Sequence, residues 1–335
     1  MQFGPQSRLF SFGFPTTRHD SCESGLSSWH GRAWMGRFAP WVTFWLVMAI
    51  SFAATAYLTD EHRLGQWGWY VMAQANVLLI LSLEIVLPRE PSQGVFHDRQ
   101  GWNDIAHMIL FKLVFRPLSW GLAFVLVMEI APREEDLPHI WPTALPVIAQ
   151  FVLLLLVFDL MGYAYHRALH RYDCLFAFHA LHHDTPQMHV LKANRLHFGE
   201  SAVNFLIMVP PMMLVGVPAQ MMIWLGMWEV FEGNLAHSNL DQRFPSFFYY
   251  LVRTADVHRI HHSREHAQQN SNFGGLPIWD VLFGTFRHPA RTTVAETGIL
   301  GDPVPRNWLR QLLFPFRELV GRTLAPAPKR HLDGS

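Results

Sequence analysis

Residues 147–183 read VIAQFVLLLLVFDLMGYAYHRALHRYDCLFAFHALHH. The opening of this stretch is apolar, and no charged residue occurs from Leu137 to Phe158. About 20 apolar residues are enough to cross the hydrocarbon core of a membrane. The run then passes directly into two histidine boxes, HRALH (His166 and His170) and HALHH (His179, His182 and His183). Positions three and four apart share one face of a helix, so each box turns its imidazoles toward one point. A third box, HRIHH, repeats the spacing with His258, His261 and His262. Each box begins at or just beyond an apolar helix, so the stretch predicts a membrane helix opening into a metal-binding cap at the headgroup boundary.

The rest of the chain extends this reading. Of its 335 residues, half are hydrophobic and 16% are charged, against about a quarter charged in ordinary soluble domains. Formal net charge is zero, which argues against a nucleic-acid surface. The two cysteines, Cys22 and Cys174, provide neither a disulfide framework nor a paired metal motif. Twelve of the 20 histidines fall between His166 and His266, so the bias has a local cause.

The expected fold is all-α and polytopic, with about four transmembrane helices, a re-entrant hairpin and a cytosol-facing, histidine-rich helical cap. The spans are read at Trp41–Thr59, Trp67–Leu87, Pro117–Ala131 and Leu137–Phe158, the last extending toward His166. Lys112 and Arg116 lie four apart, which suggests an interfacial helix over 103–116. Ser201–Trp228 is uncharged, but Pro210, Pro211, Gly216 and Pro218 predict breaks, hence two short arms rather than one crossing. The methionines of this hairpin, Met208, Met212, Met213, Met221, Met222 and Met227, are a candidate wall for an apolar ligand. Lysine and arginine are sparse in the loops at 60–66 and 132–136 and abundant in 166–200 and 232–335. The positive-inside rule then places the boxes on the cytosolic side. Four regions follow: a polar tail over 1–40, a transmembrane region over 41–149, a histidine-rich domain over 150–290, and a C-terminal tail over 291–335.

Eight box histidines exceed the four ligands of a structural zinc and suit two ions with open positions. Imidazole binds iron, zinc, copper and nickel alike, so ligand type alone does not choose the metal.

The boxes resemble those of the fatty acid hydroxylase superfamily, also called the sterol desaturase family. Several further features carry the likeness: Asp159 seven residues before His166, the RLH of Arg195 to His197, the HSN of His237 to Asn239, the NFG of Asn272 to Gly274, and WDVLFGT from Trp279 to Thr285. The resemblance covers about residues 150–287. It implies a non-haem di-iron oxygenase whose ligands are His166, His170, His179, His182, His183, His237, His258, His261 and His262. It implies hydroxylation or desaturation of a lipid with O2, and two electrons from an external cytochrome, ferredoxin or reductase. Asp159, His197 and Asn239 are expected as hydrogen-bonding neighbours of the ligands. Where some family members carry one more histidine, this chain has Gly233, which leaves water or Glu232 to stand in. A bacterial inner membrane is favoured over the endoplasmic reticulum.

Two other readings compete. A membrane zinc hydrolase needs a general-base glutamate beside its histidine pair, whereas Arg167 follows His166. A bis-histidine haem carrier needs single histidines on facing spans rather than clustered pairs.

Overall fold

The computed structural model describes residues 26–60, 62–130 and 140–324. Residues Met1–Arg37 form one unit and Phe38–Ser335 a second, which holds the site. Among the described residues the regular elements are helices, and β-pairing is limited to two isolated bridges, Pro88 with Leu240 and Ser263 with Thr297.

The N-terminal half comprises α1 (Leu26–Leu58), α2 (Gln66–Val86), α3 (Gly101–Leu110), α4 (Arg116–Ile130) and α5 (Val147–Arg171). Four stretches are long and apolar enough to cross a membrane: Phe38–Leu58, Trp67–Val86, Gly101–Ile130 and Val147–Arg171. Their outward faces are apolar; Leu78 and Leu113 are each 63% exposed, a surface suited to lipid rather than water. The protein is therefore a multi-pass membrane protein.

Several polar side chains within the spans pair with one another, as an apolar surrounding favours. The Asn76 amide donates to Ser51 Oγ at 2.8 Å, and the Asn234 amide donates to Asn76 Oδ1 at 2.8 Å. This chain ties α1 and α2 to α8 (Ala219–His237). Glu84 Oε1 accepts the backbone N–H groups of Val190 and Asn239, at 2.9 and 2.7 Å. One carboxylate on α2 thereby anchors the two loops that follow the second histidine box and His237. Around these bonds Phe44 packs edge-on against Phe231, Phe244 and Phe248.

The structure corrects four sequence expectations. Gly101–Ile130 is one continuous helical stretch, not an interfacial helix followed by a short span. A π turn at Phe111–Phe115 joins α3 to α4 and absorbs Pro117, whose missing N–H would otherwise leave a gap in the ladder. The fourth span starts at Val147, after a loop in which the Trp141 indole donates to Gln150 at 2.8 Å; residues 131–139 lie outside the described residues. α1 already begins at Leu26, within the segment read as a polar tail, while 1–25 and the last part of the C-terminal tail, 325–335, lie outside the described residues. Pro210 and Pro211 remain inside α7 (Phe198–Leu214); the chain turns only at Gly216, whose φ of 81° is left-handed. α7 and α8 flank that turn.

The cap is built from α6 (Asp173–His183), α9 (Ala255–His261), α10 (His266–Gln269), α11 (Ile278–Leu282) and α12 (Trp308–Leu324). α5 and α6 meet at Tyr172, whose extended backbone folds α6 back against α5. That reversal brings the first two boxes together, and α9 brings the third beside the end of α8.

Candidate metal centre

His166 and His170 project from the last turns of α5, His179, His182 and His183 from α6, His237 from the end of α8, and His258, His261 and His262 from α9 and its C-cap. The fold sorts them into two sets. His166, His170, His179, His183 and His261 form one; His182, His237, His258 and His262 form the other. Within each set the potential ligand atoms lie within 4.8 Å of one another.

Five of the rings are held through Nδ1, leaving Nε2 to point inward. His166 Nδ1 meets the Phe273 carbonyl at 2.7 Å, His237 Nδ1 the Gly233 carbonyl at 2.7 Å, and His261 Nδ1 the Ser271 carbonyl at 2.8 Å. A carbonyl only accepts, so each of these Nδ1 atoms carries the proton and Nε2 keeps its lone pair. His179 Nδ1 donates to Glu200 at 2.8 Å, and His262 Nδ1 meets the Thr185 hydroxyl at 3.1 Å. Partners of this kind orient ligand imidazoles in metal sites and raise their basicity.

The Nε2 atoms converge. His166 to His179 is 3.0 Å, His183 to His179 is 3.1 Å, His237 to His182 is 3.1 Å, His258 to His237 is 2.9 Å and His262 to His258 is 3.0 Å. His166 and His179 present bare lone pairs to each other, a repulsive contact unless a cation lies between them. One proton would relieve a single pair, whereas five rings converging on one point form a donor set able to hold a metal ion. The buried Nε2 atoms of His170 and His261 have no hydrogen-bond partner among the described residues, as donors to a metal should.

Burial, reinforced by neighbouring imidazoles, holds His182, His183, His258, His261 and His262 well below the ordinary pKa of 6.5. Burial and the Arg253 charge bring His237 down to about 3 despite its bond to Gly233. All are neutral at physiological pH, the form that binds metal.

Residues 151–285 match the family model described as fatty acid hydroxylase. Over 287 residues the chain is 31% identical to an ornithine lipid hydroxylase of Rhizobium tropici, covering 83% of this chain and 85% of that protein. The chain belongs to the fatty acid hydroxylase family. It also shares 26% identity over 201 residues with a very-long-chain aldehyde decarbonylase of Oryza sativa subsp. indica, covering 56% of this chain and 30% of the relative. An alkylglycerol monooxygenase of Xenopus tropicalis is 27% identical over 134 residues, 38% of this chain and 28% of its own. No solved structure matches. Among such relatives, this member of the fatty acid hydroxylase family is an oxidoreductase, and its substrate is a lipid.

The three neighbours expected around the ligands of this hydroxylase family member behave differently from one another. Asp159 touches no imidazole; it accepts the N–H groups of Gly275 and Leu276, both at 2.8 Å. Asp280 accepts those of Phe273 and Gly274, at 2.9 and 2.8 Å. Two buried carboxylates thus hold four consecutive N–H groups and fix the Phe273 carbonyl that receives His166. His197 is not drawn into either set. It caps α7 by accepting the Gly199 N–H at 3.1 Å and donates to the Leu312 carbonyl at 3.0 Å. Asn239 braces the 90–93 loop through the carbonyls of Glu90 and Gln93, away from the rings. Glu232 does not stand in as a ligand, because Arg253 grips both its oxygens at 2.7 and 2.6 Å.

Glu200 and Thr185 escaped the sequence reading, since neither belongs to a box. Glu200 lies 21 residues from His179, and only the start of α7 brings it there. A third group, Asp98, Asp104 and His189, also has metal-like spacing. Lys192 Nζ already sits 2.6 and 2.7 Å from the two carboxylates, so the protein supplies its own cation there.

Proposed function

We propose that this family member is a membrane-bound, non-haem di-iron oxygenase that hydroxylates a polar membrane lipid. The observation that carries the reading is the sorting of nine histidines, seven of them buried, into sets of five and four, with five Nδ1 atoms tied to outer partners. His166, His170, His179, His183 and His261 would hold one iron; His182, His237, His258 and His262 would hold the other. Bound there, the irons would supply O2 activation and the oxidising power to break an unactivated C–H bond. The balanced reaction takes one C–H bond, O2, two electrons and two protons to an alcohol and water. An external cytochrome, ferredoxin or reductase supplies the electrons.

The chain's own residues do the rest. The Glu200 carboxylate and the Phe273, Ser271 and Gly233 carbonyls keep Nδ1 protonated and the rings oriented. Arg253 joins α8 to the 273–276 loop by gripping Glu232 and donating its N–H to the Gly275 carbonyl at 3.0 Å, so both sets share one frame. A cavity of about 290 Å³ reaches His166, His179, His182, His237 and His258, where a lipid can meet the centre. An adjoining cavity of about 1050 Å³ lies among α2, α4, α7 and α8 and suits acyl chains. Of the hairpin methionines, Met208, Met213 and Met222 line it, while Met212, Met221 and Met227 are packed into the core. We place the histidine cap on the cytosolic face of a bacterial inner membrane, from the distribution of lysine and arginine.

The test is incubation of the iron-loaded protein with ornithine lipid, an electron donor and oxygen-18 gas. A lipid product heavier by one oxygen-18 atom is expected. A product carrying its new oxygen from water, or hydrolysed lipid with no new oxygen, would refute the reading.

A further inference from the structure

Three charged side chains in the apolar half of the protein play no part in the metal centre. Lys112 lies in the π turn Phe111–Phe115, Arg116 follows it, and Glu229 lies on α8. The Arg116 N–H reaches back five residues to the Phe111 carbonyl. Such turns recur at functional sites, because they re-aim side chains that a regular helix would place elsewhere.

None of the three closes into a direct ion pair, although the Arg116 and Glu229 charges attract each other at longer range. Among the described residues, Lys112, Arg116 and Glu229 make no side-chain hydrogen bond or ion pair, and Arg116 Nε is buried without an acceptor. The Arg116 guanidinium lies over the Trp69 ring, 4.8 Å from its centroid. Glu229 is accessible, but to internal space rather than to a packed neighbour, since it lines both cavities. Ionised groups at membrane depth are costly and mark ligand sites or pathways.

Their position suggests the ligand. Lys112, Arg116 and Glu229 line the smaller cavity together with His166, His182 and His258. Arg116 and Glu229 also line the larger one, whose wall is mostly apolar, with Trp120, Phe205, Met208 and Met213. The charges therefore stand where an apolar chamber meets the chamber at the histidines. A ligand filling both has long chains at one end and charges of both signs near the other.

We propose that Lys112 and Arg116 bind the anionic group, and Glu229 the ammonium group, of a zwitterionic lipid whose chains occupy the larger cavity. Guanidinium suits a carboxylate or a phosphate through its planar fork. The shared chemistry is an anion and an amine on one lipid head. An aminoacyl lipid such as ornithine lipid supplies it with a carboxylate; phosphatidylethanolamine supplies it with a phosphate. That this lipid is the one oxidised rests on the function proposed above.

Equilibrium binding of radiolabelled lipids to the iron-loaded, detergent-solubilised protein tests the proposal. The probes are ornithine lipid, phosphatidylethanolamine and uncharged diacylglycerol. At least one zwitterion is expected to bind about tenfold or more tightly than diacylglycerol, as one or more charge-assisted hydrogen bonds predict. Which zwitterion is preferred distinguishes carboxylate from phosphate. Arg116→Met, Lys112→Met and Glu229→Gln should each weaken the preferred zwitterion about tenfold and leave diacylglycerol binding and iron content unchanged, and Arg116→Lys should recover part of the loss. Equal binding of all three lipids by the parent, or zwitterion binding unchanged in the variants, would overturn the proposal. Absence of iron from the parent would instead refute the metal centre while leaving this binding result standing.

Discussion

His258→Ala should lose lipid oxidation entirely and keep about half the iron of the parent, as expected when one of two sites is lost. His258 belongs to the set of four, which has no spare histidine, and its Nε2 lies 2.9 Å from that of His237 and 3.0 Å from that of His262. Its ring is 1% exposed, so bulk water does not readily replace it. The nearest carboxylate of α8, Glu232, is held by Arg253 and is not released to substitute. The activity loss should exceed the roughly 10–100-fold expected for removing an outer partner of a ligand. Iron analysis together with turnover measures both effects. His62→Ala, an exposed residue in the loop after α1, should change neither. Full iron retention in His258→Ala would show that the four-histidine set is not a metal site.

Glu200→Ala should cost about 10–100-fold in iron affinity or in kcat/KM, the range for partners of metal-bound histidine. Glu200 is 7% exposed and accepts from His179 Nδ1 at 2.8 Å. His179 in turn sits 3.0 Å from His166 and 3.1 Å from His183, so a turned His179 ring disturbs the whole set of five. Glu200→Gln should be milder, because an amide oxygen still accepts from Nδ1 although the charge-assisted bond is weakened. Competition with a graded series of iron chelators ranks the three proteins. Equal affinities would show that Glu200 does not position His179.

The reach of the sequence differs between ligands and their supports. The nine histidines stand at helical spacing or at a helix end, so local periodicity alone brings most of them onto common faces. Their division into five and four was not legible, because it depends on the reversal at Tyr172 and on α8 ending beside α9. Neighbours tied to the ligands by long-range contacts were harder still. Asp159 stands seven residues before His166 and so shares its face, yet its carboxylate serves the backbone of 275–276, more than a hundred residues away. His197 has the residue type of a ligand and the position of a helix cap. The spans were readable from charge-free runs, but Lys112 and Arg116 misled. Charges within an apolar stretch look like a helix lying in the interface, whereas the π turn keeps Gly101–Ile130 continuous and turns both toward internal cavities. Pro210 and Pro211 misled for the opposite reason. They stay within α7, and the left-handed Gly216 makes the turn.

The most direct test of the account is the iron and zinc content of protein purified anaerobically in detergent from iron-supplied cells. Two irons per chain with little zinc are predicted, one for each histidine set. Zinc alone, or a single metal per chain that persists after His182→Ala with His261→Ala, would contradict the di-iron centre and the oxygenase chemistry built upon it.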